Sequence, residues 1–162
     1  MEQLELVLAY DLPQEILPLF TAYTDMLVRE DPSFQVYLDI QHYDDEVRDL
    51  RVKYGLPDGR LYLARLEGQA IGCIALRRLD ETRCELKRLY IRPEYRRRGF
   101  ARQLVEHIIT DARSIGYKHM LLDTLPFLTA AIRMYQDLGF YDIPCYNDSP
   151  LDHTIFLQLD LQ

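Results

Sequence analysis

Cysteine is scarce in this chain, and its placement excludes two classes at once. Cys73, Cys84 and Cys145 are an odd number, form no CxxC pair and have no clustered histidines beside them, so neither a disulfide framework nor a zinc site fits their spacing. All three are read as reduced thiols. No apolar run approaches the length of a membrane helix, and the first residues, Met1-Glu2-Gln3-Leu4-Glu5, carry acids where a secretory signal carries Lys or Arg. A cytoplasmic protein with no membrane partner is expected. Internal repeats, low-complexity tracts and Gly/Ser linkers are also missing, and 162 residues suit one continuous domain, 1–162.

Two phosphate-binding signatures are missing as well. The sequence has no GxxxxGK[ST], which excludes a P-loop, and no GxGxxG after a first strand, which leaves a dinucleotide Rossmann site without support. His42, His107, His119 and His153 show no ligand spacing, so no metal is expected, and Ser114 and Ser149 stand in no nucleophile motif.

What is present is an uneven charge. The formal net charge is −7, yet residues 83–102 hold eight Lys or Arg against Glu85 and Glu94, which makes that stretch +6 and the remainder −13. A basic island in an acidic chain suits a small polyanion better than a nucleic-acid duplex, which would be repelled beyond the island.

Hydrophobic periodicity supplies the elements. A short strand is predicted over Leu4 to Ala9, and a helix from Pro13 to about Arg29 on Ile16, Leu19, Phe20, Tyr23 and Leu27. Asp31-Pro32-Ser33 breaks it, and Tyr43 to Lys53 reads as a second, more polar helix ending near Gly55. Strands at Leu61 to Leu66, Ile71 to Leu79 and Glu85 to Ile91 form an antiparallel meander. After Gly99 a helical run stops at Gly116, before a strand at His119 to Thr124, and strand, helix, strand in that order implies a parallel crossover. Phe127 to Leu138 is a further helix closed by Gly139, with tail strands near Tyr141 to Cys145 and Thr154 to Leu161.

The chemistry gathers in Glu85 to Ala101, where a strand runs into a turn and a helix begins just after a glycine. A helix start leaves backbone N–H groups without internal partners and turns the positive end of the helix dipole outward, which suits phosphate oxygens. Arg96, Arg97 and Arg98 add charge-assisted hydrogen bonds, Gly99 lets the chain approach a ligand, and Ala101 keeps the next contact small.

Arg96-Arg97-Arg98-Gly99-Phe100-Ala101 resembles the Arg/Gln-x-x-Gly-x-Gly/Ala signature of the GNAT superfamily of N-acetyltransferases, and Leu128-x-x-Ala131-x-x-x-Tyr135-x-x-x-Gly139-Phe140 is similar to that family's later helix and turn. Motifs and element order together cover roughly residues 60 to 161. One departure is Leu128, where many members carry Asn. The resemblance implies a mixed α/β fold: a strongly twisted sheet, antiparallel in its N-terminal part and parallel at the central crossover, with helices on both faces. It also implies acetyl-CoA as co-substrate and direct transfer of the acetyl group to the amine of a small molecule or peptide in a ternary complex.

Site roles follow from the same resemblance. Arg96, Arg97, Arg98, Gly99, Phe100, Ala101 and Arg102 would grip the CoA diphosphate, and the backbone of Leu89, Tyr90 and Ile91 would hold the pantetheine arm and the oxyanion. Tyr135 would protonate the departing thiolate, its alternative being simple packing on an apolar helix face. Glu85 would serve as general base, its alternative being an ion pair on the strand. For Arg92 and Arg102 alike, the alternative to CoA contact is simply to solubilise the turn. Cys84, beside Glu85, reads as a small buried hydrophobe rather than a nucleophile.

Acceptor walls are expected over Pro32 to Tyr62 and Tyr141 to His153, with Phe34, Tyr37, Tyr43 and Tyr54 among Asp39, Asp44, Asp45 and Glu46, and with Tyr141 and Tyr146 near Asp148 and Asp152. Such walls attract a cationic amine. Two rivals remain: a non-catalytic acyl-CoA sensor, and a nucleic-acid module that the surrounding negative charge disfavours. A homodimer is left open.

Overall fold

The computed structural model describes residues 4–40, 42–149, 151 and 153–161. Strand β1 (Glu5–Leu8) leads into helix α1 (Pro13–Glu30), which has proline in its first turn and stops at Asp31, whose N–H still reaches the Leu27 carbonyl. Proline suits that start because its missing N–H would have no partner there.

Helix α2 (Phe34–Ile40) comes next, burying Phe34, Tyr37 and Leu38. The segment predicted as one polar helix over Tyr43–Lys53 is instead two short helices, α3 (Tyr43–Arg48) and α4 (Leu50–Tyr54). Asp49 divides them: its backbone is extended and its side chain accepts the Arg51 N–H at 3.1 Å, so it ends one helix and caps the next.

Strands β2 (Arg60–Leu66), β3 (Gln69–Arg78) and β4 (Arg83–Ile91) form the expected meander. Helix α5 (Phe100–Ile115) crosses over to β5 (His119–Thr124), and α6 (Thr129–Asp137) follows. The tail gives β6 (Tyr141–Asp142) and β7 (Ile155–Asp160), and the sheet order is β1-β2-β3-β4-β5-β7-β6. Among the described residues only β4 and β5 run parallel; the pairs on either side are antiparallel.

Alternating side chains bury both faces of the sheet. Leu61, Leu63, Cys73 and Ala75 pack with Ile16, Leu19 and Phe20 of α1 and with Leu50 and Tyr54 of α4. Tyr62, Ala64, Ile74 and Leu76 pack the opposite way, with Leu104, Val105 and Ile108 of α5 and Tyr135 of α6. Among the described residues no helix is long and apolar enough to cross a membrane.

Strand β4 is irregular on both edges. Its pairing with β5 covers only Arg83↔His119, Cys84↔Met120 and Glu85↔Leu121, after which the strands part. Against β3 it carries a bulge: Cys73 faces Tyr90 while Ala75 faces Lys87, so β4 spends an extra residue there, and Arg88 takes a left-handed φ of 60°.

Candidate active site

The parted strands open a cleft of about 1180 Å³ that runs from the residue 96–102 turn along β4 to Asp123 on β5, between α6 and the second half of α1. At its outer end, a 3-10 turn (Pro93–Tyr95) is followed by Arg97 and Gly99, both left-handed, with φ of 63° and 81°. Gly99 is the N-cap of α5, and no side chain caps it; the first bond of the helix runs from the Gln103 N–H to the Gly99 carbonyl. The amides of Phe100, Ala101 and Arg102 therefore lie at the open, positive end of the helix, which lines the cleft.

A Cβ built on Gly99 meets nothing within 4 Å. Glycine is needed here for its positive φ, and the space in front of it is clear for a ligand.

The arginines do not act as one cluster. Arg96 Nε donates to the Ile91 carbonyl at 2.9 Å and its guanidinium lies over the Tyr90 ring, so it fastens the turn to the end of β4 while lining the cleft. Arg97 and Arg102 line the cleft, Arg102 also pairing with Glu106 at 3.3 Å. Arg98 stacks over Tyr95 and Phe100 and is not part of the lining. The Phe100 ring is core, 2% exposed, so its backbone is what a ligand would meet. Arg92 turns away to the Ala70 carbonyl.

Leu89, Tyr90 and Ile91 line the middle of the cleft. Their strand is bound to β3 on one edge, and its other edge is released where β5 diverges, which leaves ladder groups facing the cleft.

Tyr135 projects from α6 into this middle section, 5% exposed, with its ring 5.4 Å from that of Phe140. Burial raises its pKa well above the usual phenol range, and the neighbouring Tyr23 and Asp123 add to the rise, so it keeps its proton at neutral pH. Burial also pushes the Cys84 thiol up to about 12, which leaves no thiolate for a covalent acyl-enzyme.

Glu85 sits on the last paired rung of β4 and β5, 4% exposed and outside the cleft lining. Its Oε2 accepts the Tyr146 hydroxyl at 2.6 Å, and Arg77 Nε lies 3.5 Å from Oε1. Burial raises the Tyr146 phenol far above its ordinary value, and the Glu85 charge raises it further.

Sequence reasoning missed Asp123. Its Oδ2 accepts from the Tyr37 hydroxyl and from Asn147 Nδ2, the latter at 2.7 Å, so α2 and the loop before β7 are tied to the end of β5. The available signal was a lone acid closing an otherwise apolar strand, His119-Met120-Leu121-Leu122-Asp123-Thr124.

Beneath the bulge lies a buried ion cluster. Arg88 donates to both oxygens of Glu46, at 2.8 and 2.7 Å, and Lys53 Nζ reaches Glu46 Oε1 at 2.8 Å. Burial alone would raise the Glu46 carboxyl, but Arg88 and Lys53 outweigh it and hold the group below the usual carboxylate range. Burial and the charge of Lys87 bring Lys53 down to about 8. Arg88 is thus structural.

The expected acceptor walls divide. Phe34 lines the cleft, Tyr37 bonds Asp123 and Tyr146 bonds Glu85, and Tyr43 lies under the Arg88 guanidinium. Tyr54 is core, Tyr141 bonds Asp160 on the far edge of the sheet, and Asp39, Asp44, Asp45 and Asp148 are solvent-exposed. Asp152 lies outside the described residues.

A mixed sheet that parts beside an uncapped, glycine-led helix start defines an acyltransferase fold with a nucleotide-thioester cleft. The model of the acetyltransferase (GNAT) family matches residues 21–140, and the chain belongs to that family. It is 38% identical over 139 residues to an uncharacterized N-acetyltransferase of Schizosaccharomyces pombe, covering 84% of this chain and 85% of that one. A crystal structure of an acetyltransferase from Streptococcus agalactiae superposes with a TM-score of 0.76 at 21% identity, covering 99% of each chain. A GNAT family acetyltransferase from Elizabethkingia anophelis, solved with acetyl-CoA bound, gives a TM-score of 0.55 at 24% identity over 64% of this chain and 76% of that one.

Proposed function

We propose that acetyl-CoA lies along the cleft with its diphosphate on the Gly99–Arg102 amides and Arg97, its pantetheine arm beside Leu89–Ile91, and its thioester at the parting of β4 and β5. The protein is an acetyl-CoA-dependent N-acetyltransferase, and the acetyl group passes directly to the amine of a small molecule or peptide. The observation that carries this reading is the end of β4–β5 pairing at Glu85↔Leu121, next to the uncapped start of α5. The acetyl-CoA held by the Elizabethkingia anophelis relative supports it.

In this mechanism the acceptor amine must first be neutral, because an alkylammonium of pKa about 10 has no lone pair to give. The amine nitrogen attacks the thioester carbon, the carbonyl oxygen gains charge, and a free β4 N–H near Leu89–Ile91 stabilises it. Carbon–sulfur cleavage then returns the electron pair to sulfur, and Tyr135, still carrying its proton, stabilises the leaving thiolate by hydrogen bonding and partial proton transfer. Glu85, whose Oε2 accepts the Tyr146 hydroxyl, takes the amine's proton through that hydroxyl. The free cysteines support a reducing compartment, the cytoplasm.

Thiol release from acetyl-CoA across an amine panel tests the reading. Amine-dependent release is expected; tight CoA binding without it would make the protein an acyl-CoA sensor.

A further inference from the structure

We propose that Asp123 is the acceptor-binding carboxylate, holding the ammonium group of the incoming amine on Oδ1; this rests on the N-acetyltransferase reading above. Met120 and Leu122 pack toward α5, so strand alternation turns Asp123 to the opposite side of the sheet, the side of α1 and α2. There it lines the cleft beyond the point where β4 and β5 part.

Both of its side-chain hydrogen bonds, from Tyr37 and Asn147, end on Oδ2. Among the described residues no hydrogen bond reaches Oδ1 and no cation pairs with the carboxylate. A half-buried carboxylate in a largely apolar cleft favours a cation, and among the described residues none is bound to it. From α1, α2, α6 and the loop before β7 it is faced by Tyr23, Tyr37, Tyr135 and Tyr146, hydroxyls that burial raises and its charge raises further. From β4 the nearby charged groups are Glu85, held by Tyr146, Arg88, held by Glu46, and Lys87.

Aromatic rings about a carboxylate attract a compact ammonium by charge and by cation–π contact. Glu85 does not compete for this role, because its oxygens already meet Tyr146 and Arg77 and it lies off the cleft. The acceptor class that fits is therefore a primary alkylammonium, in preference to a neutral aromatic amine or a hydroxyl compound.

Asp123→Asn isolates this role. Asparagine keeps an oxygen for Tyr37 and Asn147 and replaces the cleft-facing oxygen with an N–H donor of the same shape. Parent and variant, each saturated with CoA, are titrated by calorimetry with alkylamines, amino sugars, amino acids and short peptides, alongside hydroxyl isosteres of each amine. The expected result is at least tenfold weaker amine binding by the variant, loss of its preference for amine over hydroxyl isostere, and CoA affinity and melting temperature unchanged. Amine affinity within twofold of the parent's overturns the proposal. If the parent itself shows neither amine binding nor amine-dependent thiol release, the transferase reading falls and the proposal falls with it.

Discussion

The Tyr146 hydroxyl donates a 2.6 Å hydrogen bond to Glu85 Oε2, joining the loop before β7 to the last rung shared by β4 and β5. In the mechanism proposed above, this half-buried phenol and buried carboxylate act as one proton-handling unit. Glu85→Gln should lower kcat by about 10²- to 10⁴-fold, the size expected of a lost general base, and most at lower pH, where fewer acceptor amines are neutral. Tyr146→Phe should do the same, and the double variant should be no slower than the worse single one. Steady-state kinetics against pH decide it; multiplied effects would show two separate functions.

Tyr135 has two roles to separate, proton donor and partner of Phe140. Tyr135→Phe preserves the ring and should lower kcat by roughly 10- to 100-fold while leaving acetyl-CoA affinity unchanged. Full turnover in single-turnover kinetics would leave only the packing.

At Gly99 the requirement is a φ of 81° with open space ahead. Gly99→Ala and Gly99→Val should both lower the melting point, since left-handed backbone costs about 1–3 kcal/mol for residues with a Cβ. The CoA dissociation constant should rise with side-chain size, by about tenfold or more for valine, a loss of roughly 1.4 kcal/mol. Unchanged affinity in calorimetric titration would remove the turn from the diphosphate site.

The Arg88–Glu46–Lys53 cluster predicts a stability effect away from the chemistry. Glu46→Gln leaves Arg88 buried at 4% exposure without its counter-charge, a loss of about 3–5 kcal/mol by denaturant titration. Replacing both partners, as Glu46→Leu with Arg88→Met, should recover much of it. The depressed Glu46 carboxyl also fixes a direction with pH. Its contribution is complete above the unfolded carboxylate value of about 4.3 and is lost as pH falls through that value toward the lower folded one. The parent should therefore lose more stability in that window than Glu46→Gln does.

Most of the sheet was legible because period-two patterns and turn residues define β2, β3, β4 and β5 without help from the rest of the chain. The region between α1 and β2 was not, since Asp49 reads equally as a polar helix position and as a cap, and Phe34, Tyr37 and Leu38 are too short a pattern to mark α2. The turn at Arg96–Ala101 was readable because its glycine and arginines are consecutive. Asp123, Tyr37 and Asn147 meet across separations of 86 and 24 residues, and no local pattern announces such a meeting. Glu85 was expected from the family resemblance, by its separation from Arg96 along the strand, whereas its bond to the Tyr146 hydroxyl was visible only in three dimensions.

Since β4 and β5 share only their first rungs, the cleft that opens there is lined from α1 and from α6 at once. Direct transfer inside one cleft requires donor and acceptor to be bound together, so initial-rate plots for the two should intersect rather than run parallel.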